Sequence, residues 1–169
     1  MKIAALVLLI VAPTLALGQS SDLTAACGAG GISFDIKLDH AHQTVDPPQP
    51  GKAQVYFIQD TGVKVTFGVY PTTLIGIDGA WVGAYKKDSF FSVAVDPGEH
   101  HFCSNMDSIS TGHQRQLAHL TAEPGKTYYF RSRLLLAQGL IYSELNPIDS
   151  DEGQYLVASY PLSLSHPKK

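Results

Sequence analysis

Three kinds of chemistry lack their raw materials in this chain. Of 169 residues, only two are cysteine and one is tryptophan, and 16% are charged. Cys27 and Cys103 form neither a CxxC pair nor a Cys/His spacing suited to zinc, so thiol redox and structural-zinc roles are not expected. Twelve lysines and arginines face fifteen acids, for a formal net charge of −3. The basic residues form no stripe, only the Lys168-Lys169 end and the Arg131/Arg133 pair. Nucleic-acid binding needs a concentrated positive surface that releases counterions, so it is not expected. No GxSxG elbow offers a strained nucleophile. Past the first residues there is no apolar run of the roughly 18 residues a membrane helix needs, so no transmembrane segment is expected after leader cleavage.

Two apparent cofactor motifs fail on inspection. Gly125-Lys126-Thr127 copies the end of a phosphate loop, but Leu120 stands where its first glycine belongs, and Tyr128-Tyr129-Phe130 continue as a strand. Gly28-Ala29-Gly30-Gly31 follows no strand and is no dinucleotide fingerprint. No cofactor is expected. Asp149, Asp151 and Glu152 suit the first turn of a helix better than a catalytic carboxylate pair. They also miss the calcium-loop pattern, because Gln154 replaces its glycine.

What the chain does have begins with MKIAALVLLIVAPTLALGQ. One cation, a short apolar run broken by Pro13, and small residues at Ala16 and Gly18 read as a secretory signal peptide over 1–18. Export to the periplasm or beyond the cell, in association with the outer envelope, follows as an expectation. Lipidation at Cys27 is disfavoured, because Thr24 stands where a lipobox wants a large aliphatic residue. In an oxidising compartment Cys27 and Cys103 are expected to form one disulfide.

The remainder reads as short strands separated by turns. Residues 32–38 alternate apolar and polar, and residues 53–59 are rich in β-branched and aromatic side chains. Residues 63–69, 73–77, 80–85, 89–95, 99–105, 115–122, 126–137 and 140–145 follow as strands. Asp78-Gly79 between apolar strands is a type I′ hairpin signal. Pro97-Gly98 and Pro124-Gly125 read as reversals launching strands. Across the first, the simplest register sets His100 opposite Val95 and His101 opposite Ala94. Asp149 three residues before Glu152 has capping-box character, so a short helix over 150–158 is expected, with an edge strand as the alternative. The fold class is all-β: an antiparallel β-sandwich, prealbumin-like or immunoglobulin-like, with a short C-terminal helix. An N-terminal strand and Pro-rich connector occupy 19–50, the sandwich 51–160, and a flexible tail 161–169.

The segments GKAQVY (51–56), DGAWVG (78–83), SFFSVAVDPGEH (89–100) and PGKTYYFR (124–131) together resemble the bacterial exported Domain of Unknown Function 2846 family. The match spans about residues 50–158. The Pro-Gly-Glu-His element is also similar to that of PEGA-type surface domains. The resemblance implies an envelope-associated β-sandwich and brings no catalytic residues with it.

Candidate site residues are few. Trp81 and Tyr85, with Tyr56, Tyr70, Tyr128 and Tyr129 as further aromatics, could form a platform for sugar rings; core packing is the plainer role. Arg131 and Arg133 share a strand face and could bind an anion, or pair with nearby acids. His40, His42, His100 and His101 are weak metal candidates, with His113 and His119 more remote. His100 and His101 must point to opposite faces of a strand, so one site cannot use both. The reading is a non-enzymatic exported module that engages an envelope component or other protein. A small-ligand or glycan-binding domain is the alternative.

Overall fold

The computed structural model describes residues 26–30, 32–62, 70–108, 112–137 and 140–168. The leader, the expected strand at 63–69, Gly31 and the Gln138-Gly139 turn lie outside these residues. Among the described residues, ten strands and one helix follow in order. They are β1 (Phe34–Asp39), β2 (Ala53–Asp60), β3 (Thr72–Ile77), β4 (Ala80–Lys86), β5 (Ser89–Val95), β6 (Gly98–Ser108), β7 (Gly112–Ala122), β8 (Thr127–Ala137), β9 (Leu140–Ile148), α1 (Ser150–Ser159) and β10 (Leu162–Pro167). They form a six-stranded sheet, β1-β10-β5-β2-β8-β9, packed on a four-stranded sheet, β4-β3-β6-β7.

The strands are mixed in direction, not wholly antiparallel as expected. β2 runs parallel to β8, and β10 runs parallel to β5. The cause lies in the turns. Asp78-Gly79 does make an in-sheet hairpin, with φ of 49° and 82°, the two positive values a type I′ turn requires. Both Pro-Gly turns do something else. Pro97-Gly98 carries the chain from β5 in the larger sheet to β6 in the smaller one, and Pro124-Gly125 carries it back from β7 to β8. His100 therefore pairs with Leu120 and His101 with His119, not with the residues of β5. Chain that leaves a sheet and returns after a hairpin in the other can re-enter parallel to an earlier strand.

The core is aromatic and spans both sheets. Phe57 and Phe130 stack in register within the larger sheet at 5.8 Å, and Phe102 of the smaller sheet meets each edge-on, at 5.2 and 5.0 Å. These are the offset and T-shaped geometries that ring quadrupoles favour. The opposite face of β2 is covered as well. Tyr56, Ile58, Phe90 and Tyr129 pack beneath Leu156 and Val157 of α1. β2 is therefore buried from Ala53 to Gln59 and reads as a near-continuous apolar run without alternation. α1 starts as its sequence predicts: Asp149 caps it by accepting from the Glu152 N–H at 2.8 Å. The edge-strand alternative is thereby set aside.

The chain end differs from expectation. Residues 162–167 are strand β10, paired with β1 along its whole length and joined to β5, so they are no flexible tail. Burial of Ser163 and bonds from β10 to the neighbouring strand β4 hold them. Ser163 Oγ donates to the Ala84 carbonyl at 2.9 Å, and the Ala84 N–H donates to Ser165 Oγ at 3.0 Å. Two serine hydroxyls thus stand in for a neighbouring strand and blunt the β4 edge. The other seam is closed the same way. Gln114 on β7 donates from Nε2 to the Ile141 carbonyl at 2.6 Å and accepts from the Ser143 N–H at 2.9 Å.

We expect Gln114→Ala to lower stability by about 1–3 kcal/mol, because it strands a β9 donor at a partly buried seam. Urea unfolding of the purified protein checks this. A loss below about 0.5 kcal/mol would mean the seam is held by something else.

Candidate functional site

The strand pleat sorts the candidate residues onto surfaces. On the smaller sheet, the outward-facing positions form cross-strand rows: Thr72, Asp107 and His113; Leu74, Asn105 and Arg115; Gly76 with Trp81, Cys103 and Leu117; and His101 with His119. Residues 26–30 and 32–34 lie over this face. The Cys27–Cys103 disulfide pins this segment, closing a separation of 76 residues with a Cα–Cα distance of 5.1 Å.

Trp81 is the seat of that segment and does not stand free as a sugar platform. Ala26, Cys27 and Cys103 pack against it, and its Nε1–H donates to the Ala29 carbonyl at 2.7 Å. A Cβ on Gly28 would come within 2.3 Å of the indole, so only glycine lets the backbone lie there. Tyr85 is fully buried between the sheets, and burial drives its phenol above the usual range. It cannot join Trp81 in a surface site.

Arg131 and Arg133 lie on the far side of the molecule, on the outer face of the larger sheet. Arg131 is engaged. It pairs with Asp60 at 3.3 Å and with Glu152 at the start of α1. Tyr160 donates to the same Asp60 at 3.2 Å, and burial leads its pKa up to about 12. This network fastens the helix to the sheet. Arg133 stands exposed opposite Glu144. Trp81 and Tyr85 therefore share no platform, and the Arg131/Arg133 pair lies apart from both.

The histidines also scatter. His40 is exposed, and His42 pairs with Asp46 four residues on, at 3.1 Å. Among the described residues no three His, Cys, Asp or Glu side chains gather closely enough to hold a metal ion. His100 and His101 do point to opposite faces. His101 is exposed, whereas His100 locks two turns together. Its Nδ1–H donates to Asp78 Oδ2 at 2.6 Å and its Nε2–H donates to the Asp96 carbonyl at 2.7 Å. Both partners only accept, so the two bonds are made together when the ring is an imidazolium. Partial burial opposes that charge, but the Asp96 carbonyl and the Asp78 carboxylate outweigh it and raise the pKa. Asp78 feels the same opposition from burial. The His101 N–H, at 2.8 Å, and His100 together hold its pKa below the usual value.

A cavity of about 440 Å³ opens between the Gly28–Phe34 segment and the outer face of the smaller sheet. Leu74, Trp81, Asn105, Asp107, His113 and Arg115 are among the side chains that line it. Of these, the sequence marks Trp81 as a candidate for ligand contact and His113 as a remote metal candidate. The rest are ordinary alternating residues on three strands, and only the pairing of β3, β6 and β7 gathers them. Comparison with protein-family models, with curated proteins and with solved structures finds no match. Among the described residues no helix is long and apolar enough to cross a membrane.

Two expectations follow. Thiol titration of denatured, unreduced protein should find no free thiol. Replacing both cysteines by alanine should cost about 4–5 kcal/mol for a loop of this length in the chain-entropy model. The His100–Asp78 pair should stabilise the fold within a pH window. The raised His100 pKa gives a contribution present below about pH 6.5, lost as pH rises through its folded value. The lowered Asp78 pKa gives one present above about pH 3.9, lost as pH falls through its folded value. Urea midpoints of wild type and His100→Gln should differ most between these limits. Asp78 is 44% exposed, so the gap should be about 0.5–1 kcal/mol. A gap independent of pH would refute the ionic account.

Proposed function

We propose that the protein is an exported, non-enzymatic β-sandwich module of the cell envelope, of the prealbumin-like or immunoglobulin-like kind. The resemblance to the Domain of Unknown Function 2846 family accords with this reading. Its work is to bind an envelope component, most simply a protein. The observation that carries the reading is the unequal treatment of the two outer faces. The larger sheet is capped by α1 and has a second core beneath it. The smaller sheet keeps an accessible face, whose cover is a short segment held by a disulfide. Leu117 on that face is 43% exposed, and His101 and His119 flank it. A disulfide of this span suits an oxidising compartment, which favours export. Chemistry at the site is carried by packing and hydrogen bonding, the currency of a binding module.

The small-ligand reading has its own support in the cavity beside Trp81. Its volume falls within the roughly 300–1,000 Å³ typical of small-molecule sites.

A photo-crosslinking residue placed at position 117 should capture an envelope protein in living cells. The same residue at position 133, on the opposite face, should not. Failure at position 117 with a folded protein would overturn the interaction reading. N-terminal sequencing of the same purified material should begin at Gln19. A chain beginning at Met1 would overturn export.

A further inference from the structure

We propose that the cavity between the Gly28–Phe34 segment and the smaller sheet binds a small amphipathic anion, a carboxylate carried on an apolar body. This goes beyond the partner-binding reading and does not depend on it.

The cavity has two chemically different sides. Ile32, Phe34, Leu74 and Trp81 supply an apolar wall. Thr72, Asn105, His113 and Arg115 supply polar groups along the neighbouring rows. Such a division suits a ligand with a greasy body and a polar head. The sign of the head follows from the charges. Asp107, the one acid among the lining residues, has His113 as its neighbour at 3.7 Å. Lys168 is 3.6 Å from Asp35. Arg115 stands differently: among the described residues no carboxylate lies within ion-pair distance of it. Its guanidinium offers a planar fork matched to a carboxylate.

A second, independent observation comes from the floor. Asn105 is 8% exposed and sits beside Arg115 in the same cross-strand row. Its Oδ1 is buried with no hydrogen-bond partner. A buried amide without its full complement is costly in a core. Turned over, the same amide presents its Nδ2–H donors to a carboxylate held beside Arg115. The roof is fixed by the disulfide and by the Trp81–Ala29 hydrogen bond, so the cavity is formed before any ligand arrives. That pre-organisation lowers the ordering cost of binding.

The only tryptophan of the chain lines the cavity and reports on it. Phenylacetate and octanoate should each change its fluorescence saturably. Phenylacetamide and benzylamine, of similar shape, should bind at least about tenfold more weakly, as expected for loss of a charge-assisted bond. Raising sodium chloride should weaken phenylacetate binding and leave phenylacetamide unchanged. Arg115→Gln, at an exposed position, should erase the preference for the acid over the amide. Leu117→Ser, one row outside, should keep it. Equal binding of acid and amide to the wild type, or an acid preference that survives in Arg115→Gln, would overturn the proposal. So would absence of any saturable response. Failure to capture a protein at position 117 would leave these results standing, so the two readings fail separately.

Discussion

Burial of β2 on both faces is the constraint from which the rest of the molecule follows. A strand with one buried face can sit at the border of a sandwich. A strand with two must have a sheet on one side and another element on the other. Phe57 reaches Phe102 across the interior, while Tyr56 stacks on Tyr129 at 5.4 Å beneath α1. The helix is therefore part of the core and no appendage. Its attachment by Arg131 to Asp60 and Glu152 places a charged network at the border of that second core. α1 thus covers the outer face of the larger sheet over β2 and β8.

The two sheets are closed by side chains where backbone pairing stops. Gln114 bridges β7 to β9, and Ser163 and Ser165 bridge β10 to β4. Open strand edges invite pairing with other chains, and polar side chains that satisfy them remove that hazard without a continuous barrel. The same closure brings β1 and the end of β10 alongside the smaller sheet. There, Lys168 N–H donates to the Ser33 carbonyl at 2.8 Å, so the chain end helps to wall the cavity.

The disulfide and the histidine lock both act near the hairpin end of the smaller sheet, three residues apart on one strand and on opposite faces of it. Cys27–Cys103 holds the covering segment onto β6. His100 fixes the Asp78-Gly79 hairpin against the turn that enters the same strand. Both are anchored to β6, whose outward residues contribute Asn105 and Asp107 to the cavity floor.

Local chemistry determined much of this protein from its sequence alone. Positive φ at Asp78-Gly79, the Asp149 cap of α1 and the strand segments around the aromatic residues are set by neighbours along the chain. The expected pairing of Cys27 with Cys103 followed from the cysteine count and the compartment implied by the leader, and the structure forms it. Tertiary structure alone decided which sheet each strand joins. A Pro-Gly turn has the same φ and ψ requirements whether it returns to its own sheet or crosses to the other, so the parallel pairs and the position of β10 could not be seen locally. For the same reason Trp81 lies on the outer face of the smaller sheet and Tyr85 between the sheets, although both belong to β4. Leu74, Asn105 and Arg115, from three different strands, met in one row because register across strands is a long-range property of side-chain packing.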